Sequence, residues 1–312
     1  LFFTFFVSLD IIYQYFFLQD IFGFKVDISP EDSGIARRLS GPFGDEYIAG
    51  SYLQRFSIFG LCCLPFFYKI KKPYSLIILL SLFVTYWFSL ILSGNRMPVI
   101  LFLFTIFLIL LFEKETRKNF IYFVSIVIIV FSSLYLTNDV IKKHFNNFKS
   151  ISTRIANVLL IDVGVKNGNL SRSDIPSHYQ EFRSFYETWK MNKYIGGGIK
   201  SFRINCPQRK IINSYERIPC NIHPHNYYLE ILSEIGLIGF ILFLSILLFG
   251  FYNSLLRYNN KVELTDKLLK ITSFILMGEM MPLRSSGSFF TTGNAAFIFL
   301  VLAILLASRR KI

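Results

Sequence analysis

The sequence has few charged residues. Asp, Glu, Lys and Arg make up 17% of its 312 residues, whereas 53% are hydrophobic. Soluble globular domains carry about a quarter charged residues, so this composition excludes an ordinary soluble domain. The hydrophobic residues form blocks long enough to cross a bilayer, which predicts an all-α, polytopic membrane helix bundle.

The signatures of several soluble enzyme classes are also missing. The sequence contains no P-loop, no Rossmann glycine fingerprint, no Gly-x-Ser-x-Gly and no paired-aspartate metal motif. We therefore expect neither a nucleotide cofactor nor a metal centre. Acid–base chemistry carried out by the chain's own side chains is the interpretation that remains.

Acidic residues are scarce relative to basic ones, 20 against 33, which gives a net charge of +13. The basic residues outside the central loop concentrate near 69–72, 114–118, 257–270 and 309–311, in short connections and at the end of the chain. Basic residues in short connections mark the cytoplasmic side of a membrane protein. This distribution argues against nucleic acid as a partner and orients the helices.

The apolar blocks predict the division of the chain. Transmembrane helices occupy 1–136, a large outward-facing loop domain occupies 137–225, and further transmembrane helices occupy 226–312. The first residue, Leu1, lies within an apolar block without the charge pattern of a signal peptide, so we expect further helices before it. The predicted spans are 1–18, 49–68, 74–92, 97–112, 120–136, 226–252, 269–282 and 289–307.

The loop domain has a positive charge of its own, with 14 basic and 6 acidic residues. Long loops are exempt from the rule that places basic residues inside, so this charge needs a cause. One cause is an anionic substrate and another is the anionic headgroups of membrane lipids. Within the loop, aromatic residues recur at helical spacing and predict an amphipathic helix over 177–192.

Only four cysteines occur, and two of them lie inside an apolar span. The other two, Cys206 and Cys220, lie in the outward loop. In an oxidising compartment they would form a disulfide. The alternative is a zinc site that adds His223 and His225.

His225 lies where the loop meets an apolar helix. Pro224 suits the first position of a helix, so we expect His225 in the first turn, where the helix dipole favours a neutral imidazole. A neutral imidazole can accept a proton, which makes His225 the candidate general base. The alternative is an interfacial histidine that anchors the helix.

Three arginines are candidates for binding an anion. Arg96 follows a Ser-Gly-Asn turn at the start of a helix, a suitable position for a diphosphate or for a cation that reaches the membrane surface. Arg183 lies in the loop helix, where a surface pair with Glu187 is the alternative. Arg55 lies inside a predicted span, so it faces a cavity or binds an anion.

Three short motifs resemble those of one enzyme superfamily. Ser93-Gly94-Asn95-Arg96 is similar to a Ser-x-Ser-Arg turn between two helices, with Asn95 in place of the second serine. Arg183, Trp189 and the glycines at 196–198 are similar to an outer-loop arginine, tryptophan and glycine-rich stretch. His225-Asn226-x-x-Leu229 resembles a His-Asn-x-x-Leu signature. The superfamily is that of the O-antigen ligases and O-antigen polymerases, which are bacterial membrane glycosyltransferases.

The resemblance implies a GT-C-type fold that crosses the bacterial inner membrane several times, with its active site facing the periplasm. It also implies a metal-independent, inverting enzyme that needs no cofactor. This enzyme would move a glycan from an undecaprenyl-diphosphate carrier to a hydroxyl of lipid A-core or of a growing glycan. His225 would be the catalytic base. Arg96, Arg183 and, from its position in a span, Arg55 would bind the diphosphate, and Asn226, Glu230 and Arg284 would support the site.

A transporter or flippase of an anionic lipid-linked glycan is the alternative function. Such a protein has polar residues on broken helices near the middle of the bilayer, often in repeated halves. Here Arg96, Arg183 and His225 are all predicted on the outer side, and no repeat is visible. A non-catalytic scaffold would leave this grouping of arginines and histidine unexplained.

Overall fold

The computed structural model describes residues 1–26, 38–67, 72–112, 117–162, 164–165, 175–209, 220, 225–255, 264–284 and 287–307. Apart from one isolated bridge between Gln19 and Lys25, these residues contain no strand. The all-α prediction is therefore confirmed over the described ranges. Pro224, His223 and the predicted cytoplasmic ends at 69–71 and 309–311 lie outside them.

The helices form two compact units. The first unit contains Leu1–His144 and Arg257–Glu279, and the second contains Phe145–Leu256 and Met280–Ile312. The helices are α1 (Phe2–Phe17), α2 (Ala49–Phe67), α3 (Lys72–Leu92), α4 (Arg96–Phe112), α5 (Arg117–Thr137), α6 (Asp139–Asp162), α7 (Ser177–Trp189), α8 (Phe202–Asn205), α9 (Tyr227–Leu255), α10 (Leu264–Glu279) and α11 (Thr292–Ala307).

Two of the described helices are long and apolar enough to cross a membrane, the 74–92 part of α3 and all of α9. The bent pair α5 and α6 adds a third if it forms one broken span. Helices α1, α4 and α11 are apolar but have only 16 or 17 residues. These helices identify a membrane protein and agree with the spans predicted at 74–92 and 226–252. The other predicted spans stay predictions.

The core of the first unit is aromatic. Trp87 and Phe83 of α3 are buried and stack near Phe102 of α4, with ring centroids 6.2 and 6.0 Å apart. Serine and threonine hydroxyls fill the remaining polar contacts between helices, such as Ser89 Oγ, which donates to Ser8 O at 2.9 Å. Small and hydroxyl-bearing residues let helices pack closely in a membrane. Hydroxyl-bearing side chains thus supply polar contacts between the packed helices of this unit.

In the second unit, α7 packs against α9. It occupies Ser177–Trp189 and continues as a 3-10 turn over Lys190–Asn192, which confirms the amphipathic helix predicted at 177–192. The rings of Phe185 and Phe202 stack on each other and form a buried layer between the two helices, and Leu229 of α9 packs against this layer. This layer holds α7 beside the first turns of α9.

A glycine interrupts α9. Gly236 has a φ of 68° and a ψ of −173°, a backbone conformation that is essentially restricted to glycine. It separates a first half over 227–235 from a second half over 237–255. The sequence predicted one continuous span over 226–252, so the break at Gly236 is a correction to that prediction.

Candidate active site

The turn before α4 is held tightly in the first unit. Gly94 has a φ of 69°, in the left-handed region that favours glycine. The Asn95 side-chain amide donates to Tyr47 O at 3.2 Å. A Cβ on Gly50 would come within 2.8 Å of Ser93 Oγ, so α2 approaches the turn as closely as a glycine allows. These contacts fix the backbone from which Arg96 projects.

Arg96 is the first residue of α4 and precedes the predicted span. Its side chain is half-buried. Burial lowers the pKa of its guanidinium from the usual value, and the positive charge of Arg38 lowers this pKa further. Two cations are therefore within electrostatic range of each other at this turn.

Arg55 forms an ion pair with Glu279, and both residues belong to the first unit. Its Nη2 lies 2.5 Å from Glu279 Oε1, and its Nε donates to Oε2 at 3.2 Å. The carboxylate is fully buried. A charged side chain within a membrane span is costly unless it is paired, and this two-point ion pair gives each of the two charges a partner. This gives Arg55 a role in joining α2 to α10.

His225 lies two residues before α9 in the structure, not in its first turn as the sequence predicted. The helix begins at Tyr227, and Asn226 is the capping residue: its Oδ1 accepts hydrogen bonds from the backbone N–H groups of Tyr228 and Leu229, both at 3.1 Å. Asparagine is a preferred residue at this position. His225 has a φ of 56°, which is unusual for a residue other than glycine and costs about 1–2 kcal/mol.

Asn226 also joins α9 to the segment that precedes α11. Its Nδ2 donates to Pro282 O at 2.9 Å and to Arg284 O at 3.1 Å. The hydroxyl of Tyr228 donates to Met280 O at 2.5 Å. The residue that follows His225 therefore fixes the helix start and the 280–284 backbone at once.

Arg284 lies on the ring of Tyr227, with its guanidinium carbon 4.3 Å from the ring centroid. It is 3% exposed. A cation–π contact of this kind stabilises a guanidinium that is largely removed from water. Arg284 is thus held against the residue that starts α9.

Glu230 connects the first turn of α9 to the chain before α11. Its carboxylate accepts a hydrogen bond from the Ser288 hydroxyl at 2.5 Å and from Phe289 N at 2.6 Å. Glu230 is 3% exposed. Donors at both oxygens explain how this carboxylate tolerates burial.

The segment over 193–198 fills the break in α9. It supplies donors to the last carbonyls of the first half and acceptors to the first amides of the second half. A transporter uses a broken helix to bind an ion, whereas here the loop takes up these backbone groups. The hydrogen bonds are Gly197 N to Ser233 O (3.1 Å), Gly198 N to Glu234 O (2.8 Å), Leu237 N to Lys193 O (2.8 Å) and Ile238 N to Tyr194 O (3.1 Å).

Glu234, the last carboxylate before the break, belongs to the same connection. Its Oε2 accepts a hydrogen bond from Lys200 N at 2.7 Å. A Cβ on Gly236 would overlap the backbone of Tyr194 and Gly196. A backbone amide that follows the glycines at 196–198 therefore partners the Glu234 carboxylate.

Arg183 lies on α7 and is partly buried. The next residue, Ser184, accepts a hydrogen bond from Arg209 Nη2 at 2.9 Å. The same guanidinium donates to the sulfur of Cys206, which is joined to Cys220 by a disulfide. Because both thiols are oxidised here, they cannot serve as the thiolate ligands of the alternative zinc site.

The predicted site residues are divided between the two units. The first unit contains Arg96 and Arg55, and the second contains Arg183, His225, Asn226, Glu230 and Arg284.

Among the described residues there is no group of three or more His, Cys, Asp or Glu side chains that could hold a metal ion.

The family model for O-antigen ligase matches residues 80–244, a little over half of the chain. The chain belongs to the O-antigen ligase family. No curated protein matches it significantly. Membership confirms the superfamily predicted from the motifs, and it identifies a membrane protein from a family of glycosyltransferase-like enzymes.

The matched O-antigen ligase region contains Arg96, Arg183, His225 and the glycine break. It excludes Arg55, Arg284 and Ser288. Sequence reasoning overlooked Ser288 and Tyr227 because a serine and a tyrosine near an apolar helix have no distinctive pattern. The sequence Ser-Gly-Ser at 286–288 contains Ser288 but gives no indication of its contact with Glu230.

Proposed function

We propose that this member of the O-antigen ligase family transfers a glycan from an undecaprenyl-diphosphate carrier to an acceptor hydroxyl. The reaction would take place on the periplasmic face of the bacterial inner membrane, which the chain crosses several times in a GT-C-type arrangement. The acceptor is lipid A-core in a ligase and a growing glycan in a polymerase. Family membership gives no support to the alternative transporter function.

His225 is the general base in this proposal. Its imidazole takes the proton from the acceptor hydroxyl, and the oxygen attacks the anomeric carbon of the glycan. The bond from that carbon to the diphosphate oxygen breaks, and the carbon is inverted. Arg96 and Arg183 bind the diphosphate and offset the negative charge that builds up as it leaves. Because arginines can do this alone, the proposed mechanism requires no metal.

The observation that carries the proposal is the conformation of His225. A left-handed backbone at a histidine is stored strain of the kind that collects at active sites. Directly beside it, Asn226 caps α9 and binds the backbone of Pro282 and Arg284. These contacts fix the backbone next to His225, which reduces the reorganisation needed to place its imidazole against an acceptor hydroxyl.

Since Glu279 offsets the charge of Arg55, we give Arg55 a structural role rather than one in diphosphate binding.

The test is glycan transfer in membranes by a His225→Asn variant. Asparagine tolerates the left-handed conformation but cannot act as a base. We expect transfer to fall by about 100- to 10,000-fold, with expression and thermal unfolding unchanged. A His225→Gly variant should recover part of its activity when imidazole is added to the assay.

The matched control is His144→Asn, which changes a histidine of the first unit that has no part in the proposed site. This control should transfer glycan at the normal rate. Normal transfer by His225→Asn at equal protein level would overturn the role of His225 as the base.

A further inference from the structure

The break at Gly236 divides α9 into a covered half and an exposed half. All residues over 227–235 are described, and each of them is buried or half-buried. After the break, Ile238, Ile241 and Leu242 are each more than half exposed. Apolar side chains exposed on a helix that is long enough to cross a membrane are suited to face lipid. Exposed apolar side chains therefore begin directly after Gly236.

The length of α9 fits a bilayer edge at the same place. Its 29 residues extend over about 43 Å, whereas the hydrocarbon core of a bilayer is about 30 Å thick. The half after the break, 237–255, extends over about 28 Å and matches that thickness on its own. With the edge at the break, the carboxylates of Glu230 and Glu234 lie outside the hydrocarbon, where a charge is less costly.

The segment over 190–204 is fixed at the level of the break. The carbonyl oxygens of Lys193 and Tyr194 accept hydrogen bonds from Leu237 N at 2.8 Å and from Ile238 N at 3.1 Å. These two amides begin the exposed half of α9. The segment therefore lies beside the first exposed turn of the helix.

The same segment presents apolar and basic side chains together. It contains four basic residues and no Asp or Glu. Lys193, Lys200 and Arg203 are exposed. Cations interleaved with apolar side chains are typical of elements that lie in the headgroup region of a membrane, where tyrosine is also enriched. The exposed apolar residues are Met191, Tyr194, Ile195, Ile199 and Ile204.

We propose that the segment over 190–204 lies in the headgroup region at one face of the bilayer and binds anionic phospholipid there. Its exposed isoleucines enter the edge of the hydrocarbon, and Lys193, Lys200 and Arg203 contact the negatively charged headgroup phosphates. The inference gives the positive charge of this part of the loop a partner. It does not depend on the proposed glycan transfer.

Trp189 provides a native reporter for the test. Its indole N–H donates to Lys193 O at 3.0 Å. The second of the chain's two tryptophans, Trp87, is buried in the first unit. Subtracting the fluorescence of a Trp189→Phe variant therefore isolates the Trp189 signal. The purified full chain is placed in phosphatidylcholine nanodiscs that contain increasing amounts of brominated phosphatidylglycerol or brominated phosphatidylcholine.

We expect bromines near the headgroup to quench Trp189 more strongly than bromines deep in the acyl chains. The relative association constant from the titration should favour phosphatidylglycerol by about fivefold or more, the effect of one basic residue near an anionic surface. The variant Lys193→Gln/Lys200→Gln/Arg203→Gln should bring this ratio close to one. Its melting temperature in phosphatidylcholine should equal that of the wild type, because the three side chains are exposed.

Two matched controls separate local charge from geometry and from net charge. Lys193→Arg/Lys200→Arg/Arg203→Lys keeps the three charges and should keep the preference for phosphatidylglycerol.

The second control, Lys142→Gln/Lys143→Gln/Lys149→Gln, removes the same charge from exposed positions of α6 and should also keep the preference. An equal loss of preference in this control would mean that the net charge of the chain attracts the lipid, which would overturn the inference.

Two further outcomes would contradict it. Equal quenching of the wild type by the two brominated lipids would remove the anionic partner. Quenching of Trp189 by water-soluble acrylamide but by neither lipid would place the segment away from the bilayer. Both outcomes leave the proposed role of His225 to be decided by the transfer assay.

Discussion

The two units hold their buried carboxylates in different ways. In the first unit, Glu279 meets a full positive charge on Arg55, and the contact joins one helix to another. In the second unit, Glu230 meets a hydroxyl and a backbone N–H, and the contact joins α9 to the chain before α11. The ion pair sets the distance between helices, whereas the hydrogen-bonded carboxylate sets the shape of a loop.

This difference separates stability from activity. A buried charge that loses its partner affects the whole unit. Loss of Glu230 instead releases the segment that carries Arg284, close in sequence to the Asn226 contacts beside His225. We therefore expect the first unit's pair to dominate unfolding and the second unit's carboxylates to affect catalysis.

The largest expected effect is that of Arg55→Ala. It leaves Glu279 buried without its cation, which should lower the free energy of unfolding by about 3–5 kcal/mol. Thermal and denaturant unfolding of the purified protein in detergent measures the loss. The double variant Arg55→Ala/Glu279→Ala should be more stable than the single variant, because no uncompensated charge remains.

The same double variant tests the role of Arg55. Normal binding of undecaprenyl diphosphate by the folded double variant is the expected result. Weakened binding would return Arg55 to the diphosphate site, and strictly additive stability losses would contradict the ion pair.

A smaller loss of stability is expected for Glu230→Ala, together with a clear loss of activity. The unmatched Ser288 hydroxyl and Phe289 N–H should cost about 1–3 kcal/mol. Because the loop beside the proposed base moves, we expect the kcat of glycan transfer to fall by about ten- to hundredfold with little change in KM. Steady-state transfer kinetics measure both constants.

Glu230→Gln is the matched control, since it keeps one acceptor oxygen in the same shape and should be intermediate in both assays. If Glu230→Ala destabilises the protein as much as Arg55→Ala yet transfers glycan at the normal rate, the contrast between the two units is wrong.

The smallest effect is expected for Glu234→Gln. Glutamine retains an acceptor for Lys200 N, so the free energy of unfolding should change by less than about 1 kcal/mol. Glu234→Leu removes that acceptor and should expose the loop over 193–205 to protease. Limited proteolysis followed by mass spectrometry distinguishes the two variants. Equal cleavage of this loop in the two variants would mean that the Glu234 carboxylate does not hold the backbone at Lys200.

Local signals predicted much of the site's surroundings. The helical spacing of aromatic residues predicted α7, and the family motifs selected the turn at Arg96 and the junction at His225. Asn226 followed by an apolar run is a helix-start signal, but Pro224 favoured an earlier start. Both helix starts fit the local sequence, and in the structure the capping contacts of Asn226 show that α9 begins after it.

Long-range contacts were beyond local reasoning. The position of Arg55 inside a predicted span indicated that it needs a partner, but its partner Glu279 lies 224 residues away and no periodic pattern links the two. Gly236 fits a close helix contact as well as a break, and only the arrival of 193–198 distinguishes the two. Helix α6 was missed because its polar and apolar residues lie inside a region that its charge marked as loop.

The segment over 193–198, which fills the break in α9, has a practical consequence for mapping this protein's topology. Loops between helices usually accept reporter insertions and labelling cysteines because their backbone hydrogen bonds go to water. Residues 193–198 instead supply hydrogen bonds to the α9 backbone, so an insertion there would interrupt a helix located some 40 residues downstream. A reporter that fails at this site would report a folding defect and not a cytoplasmic location. Gly196 and Gly236 should therefore be treated as a single structural element, and tags belong elsewhere.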